Sequence, residues 1–224
     1  MDLIDDEALT ASWVVANRDM NRERGLTGRD GYTRVLGVDI ATVLTDLLSE
    51  SPKRTVAWLD LCCGSGGALR EAASLLRERD RLSITGIDLV SGDEPPPEIR
   101  LVTASVTDWR PDERYDLITC VHGLHYVGDK LGLLARASSW LTPDGQLVAN
   151  FDAAGIRLSG GAPAGRRLTN ALRAAGFVHD GRTNRIHRHG PADVELPFRY
   201  LGADDRAGPN YTGQPAVHSY YEPR

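Results

Sequence analysis

Short apolar runs separated by polar turns recur through the middle of the chain, and each has the length of a β-strand. Apolar residues at helical spacing predict helices over 68–77 and 131–141. Strands that alternate with helices indicate an α/β fold around a largely parallel sheet. The predicted strands cover 56–61, 82–89, 99–104, 115–121 and 146–151.

Two amphipathic helices are predicted before the first strand, over 7–21 and 34–50, joined by a polar loop that contains three glycines. The connection between the second and third strands is unusually short. It holds three successive prolines at 95–97, which impose extended backbone and leave little room for the usual crossover helix.

The chain behind the fifth strand is predicted to hold a helix over 166–175 and two more strands, one opening at 177 and one covering 194–201. The tail from 208 onward is rich in Tyr, Pro and Gly. We expect this tail either to fray or to fold over the mouth of a substrate site, because its tyrosines are costly to leave exposed.

Length and charge narrow the class of protein. With 224 residues and an ordinary composition, one domain is expected, with an N-terminal helical part (1–52), a central core (53–152) and a C-terminal part (153–224). The net charge of −5 gives no support for a nucleic-acid surface, and no apolar run approaches the roughly 18 residues of a membrane span. The acidic N-terminus is unlike a signal peptide, and three cysteines make no disulfide framework. We therefore expect a cytoplasmic protein, a monomer or homodimer.

The turn after the first predicted strand is the clearest candidate for a binding loop. It reads Asp60-Leu61-Cys62-Cys63-Gly64-Ser65-Gly66 and leads into a predicted helix. Its glycines can adopt positive φ and let a ligand approach the backbone, and the helix N-terminus favours a negative group there. A dinucleotide needs G-x-G-x-x-G, and Leu69 stands where the third glycine is required. The dinucleotide fingerprint therefore fails.

This loop resembles the D-L-G-C-G-T-G loop of class I S-adenosylmethionine (SAM)-dependent methyltransferases, with Cys62 in place of the first glycine. Further matches follow in the family's order: Asp88 at the second strand end, 122–127 after the fourth strand, and a proline–glycine turn at 141–145. The resemblance covers about residues 55–152, and the chain looks like the bacterial natural-product methyltransferases.

The resemblance implies a Rossmann-like, seven-stranded, mostly parallel sheet with an antiparallel last strand and an N-terminal helical cap. In that fold, the last two predicted strands close the sheet as an antiparallel hairpin. It also implies S-adenosyl-L-methionine as the cofactor. The cofactor-binding residues predicted in this way are Asp60, Cys62, Gly64, Gly66, Asp88, Leu89, Ser105, Val106, Cys120, Arg24 and Tyr32.

Each part of the cofactor has its own predicted contacts. The loop after the first strand would shape the methionine end, and Asp88 would accept hydrogen bonds from the ribose hydroxyls. Ser105 and Val106 stand where the family meets adenine, and nearby Asp108 is an alternative contact. Arg24 and Tyr32 are expected either to reach the cofactor carboxylate or the substrate, or to be a solvated loop residue and a packing tyrosine.

His122 and His125 are the candidate catalytic bases, since they follow the fourth strand at the carboxyl edge where α/β sheets bind ligands. The alternative for both is a packing role. Methyl transfer needs a base only when the nucleophile must lose a proton. The three cysteines are expected to be small core residues rather than ligands of a metal, because no spaced C-x-x-C pair is present.

Together these features predict a SAM-dependent methyltransferase that acts on a small molecule, as in secondary metabolism, and not on a nucleic acid or at a membrane. Two alternatives remain open at this point. One is a SAM-binding protein that catalyses another reaction, such as a cyclisation. The other is a non-catalytic partner that keeps the pocket.

Overall fold

The computed structural model describes residues 2–16, 24–50, 53–90 and 92–224. The helices are α1 (Asp6–Thr10), α2 (Trp13–Ala16), α3 (Tyr32–Leu36), α4 (Ile40–Glu50), α5 (Gly67–Leu75), α6 (Lys130–Ser139) and α7 (Gly165–Ala174). The strands are β1 (Val56–Leu61), β2 (Leu82–Asp88), β3 (Ile99–Thr103), β4 (Tyr115–Cys120), β5 (Leu141–Asn150), β6 (Ile156–Leu158), β7 (Val178–Asp180), β8 (Arg185–His189), β9 (Phe198–Asp204) and β10 (His218–Pro223). Among these described helices, none has the length and apolarity to cross a membrane.

A seven-stranded sheet in the order β3-β2-β1-β4-β5-β8-β7 forms the centre of the molecule. The first five strands are parallel, and β8 runs antiparallel to both of its neighbours. All residues of β1 and β4 are buried, which explains why these strands are largely apolar. The predicted Rossmann-like, mostly parallel sheet is confirmed.

Helices cover both faces of this sheet. Because side chains alternate along a strand, Trp58 packs with the residues of α3, α4 and α5, while Leu59 packs with those of α6 and α7. Among the described residues between β2 and β3, none is helical, as the three prolines predict. Loops follow β1, β2 and β4 at the carboxyl edge of the sheet.

The antiparallel edge differs from the prediction. Strands β7 and β8 form the hairpin, and β8 pairs with β5. The prediction that 194–201 supplies the last strand of this sheet is wrong, because the end of that run belongs to β9 in a separate sheet. The sequence of strand β8 has no apolar pattern that would predict a strand, since Ile186 is its one fully buried apolar residue. Its arginines are held by backbone carbonyls instead, with Nε of Arg185 donating to Val35 O at 2.8 Å.

A second sheet, in the order β6-β10-β9, has the strand of the C-terminal tail, β10, at its centre. Of the two outcomes considered for this tail, fraying is excluded for its end, since Tyr220 and Tyr221 are buried in β10. The N-terminus joins the same sheet through an antiparallel bridge between Ile4 and Ala203. The two ends of the chain therefore meet at one side of the molecule.

The predicted boundaries of the N-terminal helices are wrong. Instead of one helix over 7–21, the structure has α1 and α2 separated by a turn, and the remainder of that segment lies outside the described residues. The predicted helix over 34–50 is two helices, because Gly37 adopts a left-handed φ of 71° and ends α3. Strand β5 also begins earlier than predicted, at Leu141, so that the proline–glycine turn lies within it.

Candidate functional site

A cavity of about 430 Å³ lies at the carboxyl ends of the parallel strands, within the usual size range of ligand pockets, roughly 300–1,000 Å³. Loops after β1, β2, β3 and β4 form its floor. The N-terminal helices, the loop before α3, and Thr212 and Gln214 of the tail close its sides. This is the edge at which open α/β sheets bind their ligands.

The loop after β1 turns sharply through three left-handed residues. Cys62, Gly64 and Gly66 have φ values of 60°, 61° and 84°. A Cβ on Gly64 would meet no atom within 4 Å, so the backbone there faces open space, and Gly64 lines the cavity. Cys62 occupies a conformation that suits glycine, which accounts for the glycine at this position of the resembling motif.

Asp88 fastens the end of β2 to this loop. Its Oδ2 accepts from the backbone N–H of Gly64 at 2.8 Å, and its Oδ1 accepts from that of Val90 at 3.1 Å. A carboxylate has about four acceptor positions, so two remain for a ligand in the cavity that Asp88 lines. Burial raises the pKa of this carboxyl group, and the backbone N–H groups of Gly64, Val90 and Leu89 lower it.

Asp60 lies behind the cavity wall and is fully buried. Its Oδ2 accepts from the Tyr32 hydroxyl at 2.7 Å, and its Oδ1 accepts from the Thr119 hydroxyl, which in turn accepts from Nε1 of Trp58 at 2.9 Å. Burial raises the pKa of Asp60 to about 7. Tyr32 does line the cavity, so its hydroxyl group connects Asp60 to the cavity wall.

The part of the wall predicted to meet adenine comes from the loop after β3. Ser105 and Val106 line the cavity, together with Leu89 from the loop after β2. Asp108, the alternative adenine contact, is exposed and is not part of the wall. The geometry therefore favours Ser105 and Val106 over Asp108.

The two candidate bases lie side by side after β4. The rings of His122 and His125 are stacked with centroids 5.7 Å apart, and the ring of Tyr211 contacts both. Burial lowers the pKa of His122 to about 4 and that of His125 to about 3, so both rings are neutral at pH 7. Within the described chain, the buried Nδ1 of His122 and Nε2 of His125 have no hydrogen-bond partner.

His122 is held in a left-handed conformation with φ of 59°. Its backbone N–H donates to Oδ1 of buried Asn150 at 3.2 Å, and its carbonyl accepts from the backbone N–H of His125. A left-handed non-glycine residue persists only where its surroundings support it, as they do here. The ends of β4 and β5 thus set the direction of the His122 ring.

Arg24 and Tyr32 bring the cap into the cavity wall. The loop between them is anchored by Glu71 of α5, whose Oε2 accepts from the backbone N–H of Leu26 at 2.7 Å. The positive charge of Arg24 adds to burial in lowering the pKa of His122, so Arg24 lies on the histidine side of the cavity.

Most of the predicted site residues are gathered in this wall, but their binding roles stay predictions. The exceptions are Asp60, Gly66 and Cys120, which lie behind it. The prediction did not include the residues contributed by both ends of the chain. The amphipathic pattern of the N-terminal segment and the aromatic tail were the available signals. These additional wall residues from the two ends are Asp6, Leu9, Thr10, Val15, Thr212 and Gln214.

No metal centre is present in the part of the chain that the structure describes, since His, Cys, Asp and Glu form no cluster of three suited to a metal ion there. The three cysteines are free thiols. A hydrogen bond with Cys120, together with burial, raises the pKa of the Cys62 thiol, so it is not a reactive thiolate.

Comparison with known proteins gives one family match. A family model described as a methyltransferase domain matches residues 34–180. A search of curated proteins gives no match.

Solved structures similar to this chain include the plantazolicin methyltransferase BpumL with a monoazolic desmethylPZN analog and SAH, at 17% identity and a TM-score of 0.43. That alignment covers 64% of this chain and 51% of BpumL. Another is SAM-bound CalS10, an amino pentose methyltransferase from Micromonospora echinaspora involved in calicheamicin biosynthesis, at 22% identity and a TM-score of 0.39. That alignment covers 49% of this chain and 48% of CalS10. The chain thus spans about half the length of these structures.

Proposed function

This chain belongs to the methyltransferase domain family, whose model matches more than half of it, and on that premise we propose that it transfers a methyl group from SAM to a small-molecule acceptor. The observation that carries the proposal is one continuous cavity wall. It runs from Cys62 and Gly64 through Asp88 to Ser105 and Val106, in the order in which methionine, ribose and adenine are joined in SAM.

The residues of this wall fit such a cofactor. The open space above Gly64 admits the methionine end close to the backbone, and Asp88 keeps acceptor positions for the ribose hydroxyls. Arg24 supplies a positive charge for the carboxylate. When bound, the cofactor supplies a methyl group already activated by its sulfonium. The protein therefore needs chiefly to hold the cofactor and the acceptor and to align the methyl group with the attacking atom.

The chain's own contribution to the reaction is therefore positioning. Holding two reactants in line lowers the activation barrier by about 7–11 kcal/mol at best. His122 and His125 are neutral at pH 7 and keep free ring nitrogens, so one of them can accept a hydrogen bond or a proton from the attacking atom. The terminal segments that close the cavity exclude water from the transfer.

Calorimetric titration with SAM, and separately with S-adenosylhomocysteine (SAH), tests the cofactor assignment. We expect micromolar binding of both, about −8 kcal/mol. A panel of acceptors is then screened by mass for the gain of one CH₂ unit. Failure of both ligands to bind would sink the proposal. Binding with a rearranged product of unchanged mass would favour another reaction, and binding without turnover would favour a non-catalytic partner.

Other properties stay predictions that rest on the sequence. These are the small-molecule nature of the acceptor, a role in secondary metabolism, a monomeric or homodimeric state, a cytoplasmic location, and the division into an N-terminal cap, a core and a substrate-side C-terminal part. Size-exclusion chromatography with light scattering decides the oligomeric state directly.

A further inference from the structure

A second cavity, of about 290 Å³, adjoins the first. Both cavities are lined by Asp30, Val35 and His122, so they share one wall. The second extends over the ends of β5 and β8, where Asn150 and Arg185 pair across the strands. A molecule in this cavity would therefore reach the first cavity beside the His122 ring.

The charge of the second cavity is positive. Arg29, Arg34 and Arg185 line it, against the single carboxylate of Asp30. Arg185 is fixed by the cap, since its Nε and one terminal nitrogen each donate at 2.8 Å, to the backbone carbonyls of Val35 and Arg34. Those partners are uncharged, so the positive charge of Arg185 is not neutralised.

Arg29 and Arg34 are exposed side chains at the mouth of this cavity. Among the described residues, neither has an ion-pair partner, although Asp30 lies beside them in the wall. Guanidinium groups bind carboxylate and phosphate with paired hydrogen bonds. This end of the cavity suits an anionic group.

The opposite end is marked by an unfilled hydrogen-bonding position. Nδ1 of His122 is buried and has no partner in the described chain, and His122 is one of the three residues that line both cavities. Buried polar atoms are nearly always hydrogen-bonded, so this nitrogen indicates a missing ligand group. Asn150 holds the backbone of His122 from the second cavity's side.

We propose that the second cavity is the acceptor site, and that it selects acceptors that carry a carboxylate or phosphate at one end and the methyl-accepting atom at the other. The anionic group lies toward Arg29 and Arg34, and the accepting atom lies beside His122. The proposal rests on the proposed function. Arg24 is a separate positive group, because it lines only the first cavity, where it serves the donor.

Titration of SAH-loaded protein with matched small molecules tests the proposal. The pairs are para-hydroxybenzoate with its methyl ester, and para-hydroxyphenyl phosphate with hydroquinone, so that carboxylate and phosphate are compared separately. We expect the better anionic member to bind about tenfold more tightly than its neutral partner. The preference should shrink when ionic strength rises from about 0.01 M to about 0.15 M.

The double variant Arg29→Gln/Arg34→Gln should lose this preference while keeping its affinity for SAH. Arg167→Gln, at an exposed position of α7 that lines neither cavity, is the matched control and should keep both. Absence of any anionic preference, including absence of binding by every probe, overturns the proposal, as does a preference that survives in the double variant. Because SAH binding is measured first, its loss in the unaltered protein is a failure of the proposed function instead.

Discussion

At the scale of a single residue, Asp88 accepts a hydrogen bond that holds the loop after β1, and it also lines the cavity. We expect Asp88→Ala to weaken SAH binding by about 1.5–3 kcal/mol, the value of a hydrogen bond to a charged group. Calorimetry measures the change. Asp108→Ala is the control, since that exposed carboxylate is outside the wall, and it should leave the affinity intact. An Asp88 variant with unchanged affinity would remove the residue from the site.

The lowered pKa of His122 leads to a prediction about the pH dependence of turnover. Its pKa of about 4 leaves it neutral, so turnover should be flat from about pH 6 upward and fall only as the pH approaches 4. For an acceptor atom that must lose a proton, His122→Ala should reduce turnover by about 10²-fold, with SAH affinity unchanged. His189→Ala, at an exposed position of β8, is the comparison. Equal turnover of His122→Ala and His189→Ala would show that His122 accepts no proton, and that positioning is the protein's only contribution to catalysis.

The raised pKa of Asp60 predicts that the free energy of unfolding depends on pH. Its pKa of about 7 in the folded chain exceeds the value of about 3.9 in an unfolded one. Between these values the folded state binds more protons, so the contribution of Asp60 to the free energy of unfolding falls as pH rises from about 4 to about 7. The stability difference between the native protein and Asp60→Asn should decline over that range. Chemical denaturation at several pH values measures it, and a constant difference would contradict the buried position.

At the scale of elements, Lys130 joins the start of α6 to the C-terminal tail. Only two lysines occur in the chain, and Lys130 is buried whereas Lys53 is exposed. Its Nζ donates at 2.8 Å to the carbonyls of Val127 and Val217 and to the hydroxyl of Ser219. Because Val217 N–H also donates to the His125 carbonyl at 2.9 Å, this lysine supports the segment that carries the histidines.

Lys130→Met should lower the free energy of unfolding by about 1–3 kcal/mol, since it leaves buried acceptors unsatisfied. Lys53→Met should change it by about 0.5 kcal/mol or less. Burial lowers the pKa of Lys130 to about 7, so the folded state binds fewer protons than the unfolded state from there to about 10.4. The advantage of the native protein over Lys130→Met should thus grow as pH rises through that range. Equal effects of the two substitutions would contradict the role of Lys130.

At the scale of the whole molecule, one cavity is closed by both ends of the chain and by the central core. SAH at 100 times its dissociation constant should stabilise the protein by about 2.7 kcal/mol and raise Tm by roughly 5–10 °C. Hydrogen exchange should slow in 6–16, 62–65, 104–107 and 211–214, but not in α7, which lines neither cavity. Protection limited to the two central segments would show that the terminal segments are not part of the donor site.

Much of the central sheet follows from local sequence, because parallel strands buried on both faces are largely apolar. Strands β1, β2 and β4 were predicted within one residue for that reason. The turn at Gly64 and the acid at Asp88 are equally local, since each stands directly after a strand. These features were sufficient to predict the family and most of the cavity floor.

The edges of the molecule depend on contacts between distant residues, which no local pattern records. Strand β8 forms because the free edge of β5 and the carbonyls of the cap accept the hydrogen bonds of a polar segment. The second sheet brings Ile4 against Ala203, and Lys130 finds its acceptors in the tail.

The sequence by itself thus determined the parallel core and the binding loop, because burial on two faces and a strand-to-helix turn impose residue types locally. Only the tertiary structure decided which segments close the cavity, that Asp60 stands behind Tyr32, and that a positive second cavity opens beside His122. Those outcomes depend on pairings across the chain, where the partner of a polar group is known only once the fold has brought it near.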